Sequence, residues 1–265
     1  MQILLAPPKR AFSPGVVRQP GMVFERASGA TTMTGLRLSW PFPPSTPALS
    51  GTDIHVWAVP LDRPQRDVRS LARVLCAEEL ERARRLRFAR VRDRFIVERG
   101  ALRHLLGQYA VIEPGRLQFR YGLHGKPALT GDGGAVCFNV SHSQGVALVA
   151  VTRGRELGVD VERIRPMFAV DRIAERFFAA REAAMLRALP PSEKQVAFFL
   201  CWTRKEAYIK AVGDGLARPL DRFEVSVGSG QPAELLSVDG DPDEASRWSL
   251  HDLRPASGYV AALAV

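Results

Sequence analysis

Residues 139–162 read NVSHSQGVALVAVTRGRELGVDVE, and the rest of the chain is arranged around them. Two apolar runs, Val146 to Val151 and Leu157 to Val161, flank the glycine-containing turn Thr152 to Glu156, the pattern of a β-hairpin or of two adjacent strands. Polar chemistry stands at both ends. Ser141 and His142 precede the first run, where short side chains and backbone N–H groups can meet a ligand. Asp160 and Glu162 are two apart on a strand, so both project from one face of the sheet. Like charges that close repel unless a cation joins them, and oxygen ligands of this kind suit a hard ion such as Mg²⁺. The same Asp-Val-Glu alternation also fits the solvated face of an edge strand. Ser141-His142 equally fits turn and cap residues, because no G-x-S-x-G nucleophile elbow accompanies it.

A chain of 265 residues can bury a sizeable core, as one large domain or two smaller ones. Its balance of 37 Lys plus Arg against 28 Asp plus Glu, a net charge of +9, favours partners that carry phosphate or carboxylate. Cys76, Cys137 and Cys201 have neither the count nor the spacing of a disulfide framework or a zinc site, so they read as small core residues in a reducing compartment. No apolar run reaches the roughly 20 residues a membrane helix needs, and the N-terminus lacks a signal peptide's apolar segment. A soluble, cytoplasmic protein is expected.

Residues 1–50 are rich in Pro, Gly, Ser and Thr and show no sustained period, which predicts a flexible N-terminal extension. Order is expected to begin with a strand at Asp53 to Leu61, followed by helical segments at Cys76 to Leu86 and Arg92 to Ala110. These helices are crowded with arginines, most of them read as a solvated face, with one or two free to hold phosphate through forked N–H donors. Gly122 to Pro127 forms a turn that presents Lys126 beside two glycines. Arg176 to Leu189 reads as one amphipathic helix or two short ones. Ser192 is expected to cap a helix through Lys194 to Gly213, on which Glu206 and Lys210, four apart, share a face. Such a pair is either a routine surface contact or, in this otherwise apolar helix, part of a site. Three strands follow, at Phe223 to Val227, Trp248 to Leu253 and Tyr259 to Val265.

Gly125-Lys126-Pro127, Asn139-Val140-Ser141-His142, Gly158-Val159-Asp160-Val161-Glu162 and the run Trp202 to Lys210 (WTRKEAYIK) together resemble the signature of the 4′-phosphopantetheinyl transferases of the larger, Sfp-like type, across roughly residues 52–265. Each motif alone is short; their combination in this order is specific. The resemblance implies an α+β fold of two similar halves related by a pseudo-twofold axis, residues 51–157 and 158–265, with coenzyme A between them. It implies transfer of the phosphopantetheine arm of coenzyme A to a serine of an apo acyl or peptidyl carrier protein, with release of adenosine 3′,5′-bisphosphate. The chain then needs no nucleophile of its own. By the same resemblance Asp160, Glu162 and Glu206 hold Mg²⁺, Glu206 or a water it orients takes the serine proton, and Lys210 stabilises or protonates the departing phosphate. Lys205 adds positive charge beside it. Arg82, Lys126, Ser141 and His142 contact coenzyme A, and Glu182 is open between ligand contact and structure. A monomer that binds neither nucleic acid nor membrane is expected.

Two other classes compete. A nucleic-acid-binding protein would explain the charge but shows no interleaved aromatics or reader motif, and it leaves three carboxylates unexplained. A Ser-His hydrolase lacks an elbow and an evident oxyanion hole.

Overall fold

The computed structural model describes residues 17–18, 49, 53–228 and 230–265. The expected extension over residues 1–50 therefore lies almost wholly outside the described residues. Within it, the short strand β1 (Val17–Arg18) runs parallel to the start of β2 (Ile54–Pro60), and Leu49 packs against the first core cluster.

After β2 come α1 (Gln65–Ala72), α2 (Ala77–Arg85) and the long α3 (Ala89–Ala110). The short antiparallel pair β3 (Phe119–Tyr121) and β4 (Pro127–Leu129) leads into β5 (Val136–Ser143) and β6 (Val146–Arg153). The chain then repeats this order. It runs through β7 (Gly158–Arg163), α4 (Val170–Phe177), α5 (Ala180–Ala188) and α6 (Pro191–Val212) to the antiparallel pair β8 (Phe223–Val225) and β9 (Leu235–Val238), the short α7 (Pro242–Ala245), and β10 (Leu250–Leu253) with β11 (Tyr259–Ala264). The three principal helices of each set have 8, 9 and 22 residues, in the same sequence.

One sheet has the order β1-β2-β6-β5 and another the order β10-β11-β7, with all pairings but β1–β2 antiparallel. The two apolar runs read as a hairpin or neighbouring strands therefore part company. β6 pairs with β2 and β5, β7 pairs with β11, and the hairpin is β5–β6, turned at Ser143 and Val146. Ser141 and His142 accordingly lie within a strand. Both runs are buried on two faces, and a continuous apolar run carries no alternation to say which neighbour it takes.

The segments before and after residue 158 each carry a core cluster, and a third cluster joins them: Ile54, Val56, Leu148, Ala150 and Leu157 meet Val159, Val161, Leu253, Ala261 and Leu263. Burying a Leu or Val side chain contributes roughly 1.5–3 kcal/mol, so this interface alone binds the two segments firmly. α6 starts one residue before the expected cap, with Pro191 in its first turn and Pro190 at the N-cap, because proline suits the first helical position while Ser192 makes no cap bond. Gly213 ends it in the left-handed conformation, φ 87°, as a glycine there should. Of the three cysteines only Cys201 is fully buried, and all are free.

Each long helix is tied to the short helix before it by a buried glutamate. Glu79, in the first turn of α2, accepts the Cys76 N–H at 3.1 Å and binds Arg99 and Arg103 of α3, Arg103 at 2.7 Å. Arg103 also donates to the Pro114 and Leu117 carbonyls. Glu182, in the first turn of α5, accepts the Ala179 N–H at 2.9 Å and binds Lys205 of α6 at 2.7 Å. Lys205 in turn donates to the Leu220 and Phe223 carbonyls. Two of the arginines on these crowded helices, Arg99 and Arg103, thus turn inward to Glu79, while Arg94 pairs with the exposed Asp62.

Candidate active site

The site forms where α6 lies on β7. Gly158 makes this possible: a Cβ there would stand 2.1 Å from the Ala207 carbonyl oxygen and 2.3 Å from the Ala211 nitrogen. With only hydrogen at that position, the helix backbone rests directly on the strand. Glu206 and Lys210 each precede one of those two helix residues, and Asp160 and Glu162 follow Gly158 on the same face of β7, so that Lys210 reaches Asp160.

Asp160 is 4% exposed, which removes the reading of β7 as a solvated edge. Its Oδ1 accepts Lys210 Nζ at 2.6 Å and Ser141 Oγ–H at 2.8 Å. Its Oδ2 is buried and has no hydrogen-bond partner among the described residues. Glu162 accepts Ser143 Oγ–H at 2.7 Å. Glu206 makes no hydrogen bond or ion pair among the described residues. Burial, and after it the fields of its neighbours with Asp160 foremost, pushes the Glu206 carboxyl above its ordinary range. Glu162 is pushed up by burial and by Asp160 against the pull of Ser143, Arg165 and Lys210. Of the two readings of Glu206 and Lys210, the routine surface pair is not what forms: Lys210 bonds to Asp160 instead, because the helix face that carries both residues is covered by β7.

A cleft of about 280 Å³ opens on this cluster, lined by Lys126, Asn139, Val140, Glu206 and Lys210 among others. Lys126 reaches it from the β3–β4 turn, paired with Glu156 and donating to the Ala211 carbonyl at 2.7 Å. His142 is largely exposed beside it, and its Nδ1 lies 2.9 Å from Glu98 Oε2 on α3. That contact, helped by the Glu98 charge and opposed by burial, raises the imidazole above its ordinary value of 6.5. Arg82 is exposed on α2 with its guanidinium 5.3 Å from the Phe95 ring, one turn of α3 before Glu98.

Two expected ligand contacts do not reach the cleft. Lys205 is fully buried on the opposite side of α6, its three N–H donors spent on Glu182 and two carbonyls, with the Phe223 ring 4.3 Å away. On a helix adjacent residues point about 100° apart, so Lys205 cannot share the face of Glu206. Glu182, whose role the sequence leaves open, is its partner in the core. Ser141 is buried and gives its one hydroxyl proton to Asp160 while accepting from Lys210, so none remains for a phosphate.

The residues fit a hard cation by the chemistry of their oxygens. A buried carboxylate oxygen that meets no partner among the described residues stands beside two carboxyls raised above their ordinary range by burial and by the Asp160 charge, and a divalent ion would relieve both penalties. Among the described residues no group of three His, Cys, Asp or Glu side chains is already drawn to ligand distances. Residues to which the sequence reading gave no role of their own are Asn139, Ser143 and Glu98. The period-two run of short polar residues at 139, 141 and 143 is the signal that could have found the first two.

Among the described residues no helix is long and apolar enough to cross a membrane. Residues 156–264, which include both carboxylate-bearing elements, match the profile of the 4′-phosphopantetheinyl transferase superfamily. The 4′-phosphopantetheinyl transferase HetI of Nostoc sp. (strain PCC 7120) is 44% identical over 234 residues, covering 87% of this chain and 94% of that protein. This coverage exceeds residues 53–265, so the likeness extends into the first 50 residues, further than the motifs alone indicated. A 4′-phosphopantetheinyl transferase of Bacillus subtilis is 31% identical over 190 residues, 71% of this chain and 83% of that one. The B. subtilis (strain 168) transferase Sfp is 28% identical over 174 residues, 65% and 76% of the two chains. With 94% of a 44%-identical relative covered, the chain belongs to the 4′-phosphopantetheinyl transferases of the Sfp-like type.

Proposed function

We infer that the protein transfers the phosphopantetheine arm of coenzyme A to a serine hydroxyl of an apo acyl or peptidyl carrier protein. The serine oxygen bonds to the pantetheine-bearing phosphorus, the pyrophosphate P–O bond breaks, and adenosine 3′,5′-bisphosphate leaves. The observation that carries this reading is the gathering of Asp160, Glu162, Glu206 and Lys210 from two elements beneath one cleft, with no nucleophile of the protein's own among them. Neither rival class accounts for buried acids beside an open cleft in so basic a chain.

Glu206 is the group to take the serine proton. Its raised basicity suits it to that work, and it is free of competing bonds. Lys210 meets the charge that develops on the departing phosphate. Asp160, Glu162 and Glu206 would hold Mg²⁺, which when bound neutralises charge on the pyrophosphate oxygens. Lys126 and His142 line the approach with positive charge for the remaining phosphates, and Arg82 extends it along α2. Asp160 also holds Lys210 in place, so its loss would disturb two functions at once. The division into residues 51–157 and 158–265, related by a pseudo-twofold axis, is supported by the repeated element order and by the repeated glutamate tie. A monomer acting in the cytoplasm fits a transferase whose cleft is built from one chain.

The direct test is incubation with Mg²⁺, coenzyme A and several apo carrier proteins, read by mass spectrometry for added phosphopantetheine. Lys210→Ala should lower kcat by ~10²-fold or more, the scale seen when one preorganised donor is lost, with little change in coenzyme A affinity. The metal assignment predicts that Mg²⁺ raises the Tm of the native protein and not that of Asp160→Ala. Full activity in excess chelator would remove the metal from the mechanism.

A further inference from the structure

β5 and β7 run side by side but belong to different sheets, and no backbone ladder joins them. Alternate side chains of β5 bridge the gap instead. Asn139 Oδ1 accepts the Val159 N–H at 3.0 Å, Ser141 Oγ accepts that of Val161 at 3.4 Å, and Ser143 Oγ accepts that of Arg163 at 3.1 Å. A strand edge left open in this way would hold buried donors without acceptors, and short polar side chains at a period of two supply the acceptors. The seam between β5 and β7 is therefore zipped by side chains.

The zipper has a second effect at the cluster of acids. A hydroxyl that accepts a backbone N–H keeps one proton to donate, and its direction is thereby set. Ser141 directs its proton to Asp160 at 2.8 Å and Ser143 directs its own to Glu162 at 2.7 Å. One oxygen of each carboxylate is held on the seam side. For Asp160 the other is the buried oxygen that has no partner among the described residues.

We propose that Ser143 is a positioning residue that holds the Glu162 carboxylate, through a bridge from the Arg163 backbone, in the orientation needed to bind a divalent cation. Ser143 is the member of the set on which this can be isolated. Ser141 also contacts Lys210, and Asn139 lines the cleft, whereas among the described residues the bonds of the Ser143 hydroxyl are confined to Glu162 and Arg163. The proposal rests on the reading of Asp160, Glu162 and Glu206 as the cation site.

The test uses the full chain without coenzyme A, titrated with Mg²⁺ while thermal stability is followed, in the native protein and in Ser143→Ala, Ser143→Cys and Ser143→Thr. Loss of an outer partner of a metal ligand costs about 10–100-fold in metal affinity, so the Mg²⁺ midpoint of Ser143→Ala should rise by at least ~10-fold. Ser143→Cys, close in size but a poor hydrogen-bonding group, should behave like alanine and covers the case in which alanine fails to fold. Ser143→Thr keeps the hydroxyl and should restore the midpoint. Amide exchange at Arg163 should quicken in the alanine and cysteine variants and recover in the threonine one. Coenzyme A affinity measured without Mg²⁺ should not move. A merely structural serine would lower Tm and leave the Mg²⁺ midpoint alone, and that result overturns the proposal while leaving the cation site standing. A native protein whose stability ignores Mg²⁺ would overturn the cation site itself, and this proposal with it.

Discussion

Residues 53–157 and 158–265 repeat one order of elements and differ in how closely the long helix approaches its sheet. In the second segment the first residue of β7 is Gly158, and the α6 backbone lies against it. In the first segment β2 meets the end of α3 through large side chains, His55 and Trp57, which both hydrogen-bond the Tyr109 hydroxyl at 2.7 and 2.8 Å. Burial drives that phenol well above its ordinary range, against the pull of the Trp57 N–H, so it stays a neutral hydrogen-bonding post. The consequence is chemical. Where the helix touches the strand, helix and strand side chains share one cleft; where aromatics fill the gap, the same architecture yields a sealed core. The site is thus a product of one missing side chain as much as of the acids themselves.

The glutamate ties sharpen the contrast. Glu79 has two arginines and Glu182 a single lysine. Burial pushes both carboxyls up, but Arg99 and Arg103 outweigh it and leave Glu79 below its ordinary value of 4.5, whereas Glu182 remains above it. Lys205→Met should therefore be the most damaging change to either tie, costing ~3–5 kcal/mol because it strands a buried carboxylate. Arg99→Met should cost distinctly less, since Arg103 still holds Glu79. Equal losses of Tm for the two variants would break the distinction.

Gly158→Ala tests the close approach itself. Its Cβ meets backbone, which cannot rotate away, so a loss of ~1–3 kcal/mol is expected from overpacking. A displacement of α6 by even ~1 Å should also cost about 10²-fold in transfer rate. A stable, fully active Gly158→Ala protein would show that contact with β7 does not position Glu206 and Lys210.

Both long helices end in the left-handed conformation, α6 at Gly213 and α3 at Val111, φ 57°. A branched residue pays for that conformation, roughly 1–2 kcal/mol, and Val111 is exposed and loses no packing when shortened. Val111→Gly should accordingly raise stability by about 1 kcal/mol, less the added chain entropy of glycine, while Gly213→Val should lower it. Chemical denaturation of the two variants measures the difference.

The smallest expected effects are those of pH. The depressed Glu79 contributes stability above pH 4.5 that is lost as pH falls through its lower folded value, so Glu79→Gln should differ from the native protein at pH 7 and converge on it in acid. The raised Glu182 has the opposite sign: its ionisation, as pH rises past 4.5, works against the fold. Urea midpoints across pH 3–7 for both glutamine variants would distinguish the two.

The sequence by itself determined the chemistry and most of the elements. G-V-D-V-E placed two acids on one strand face, and W-T-R-K-E-A-Y-I-K placed Glu206 and Lys210 on one helix face, because two-residue and 3.6-residue periods are local properties that a motif carries intact. The strand at residue 54, the long helices and the glycine stop at Gly213 were legible for the same reason. Partners were not. Tertiary structure alone decided that β6 and β7 belong to different sheets, that Lys205 and Glu182 are a core pair, that Lys210 answers to Asp160, and that Ser141 and Ser143 zip the seam. All of these bring together residues far apart in sequence or choose between equally apolar faces. A charged residue looks the same in a motif whether it faces a phosphate or a buried carboxylate; only the packing around it, here the bare contact at Gly158, says which.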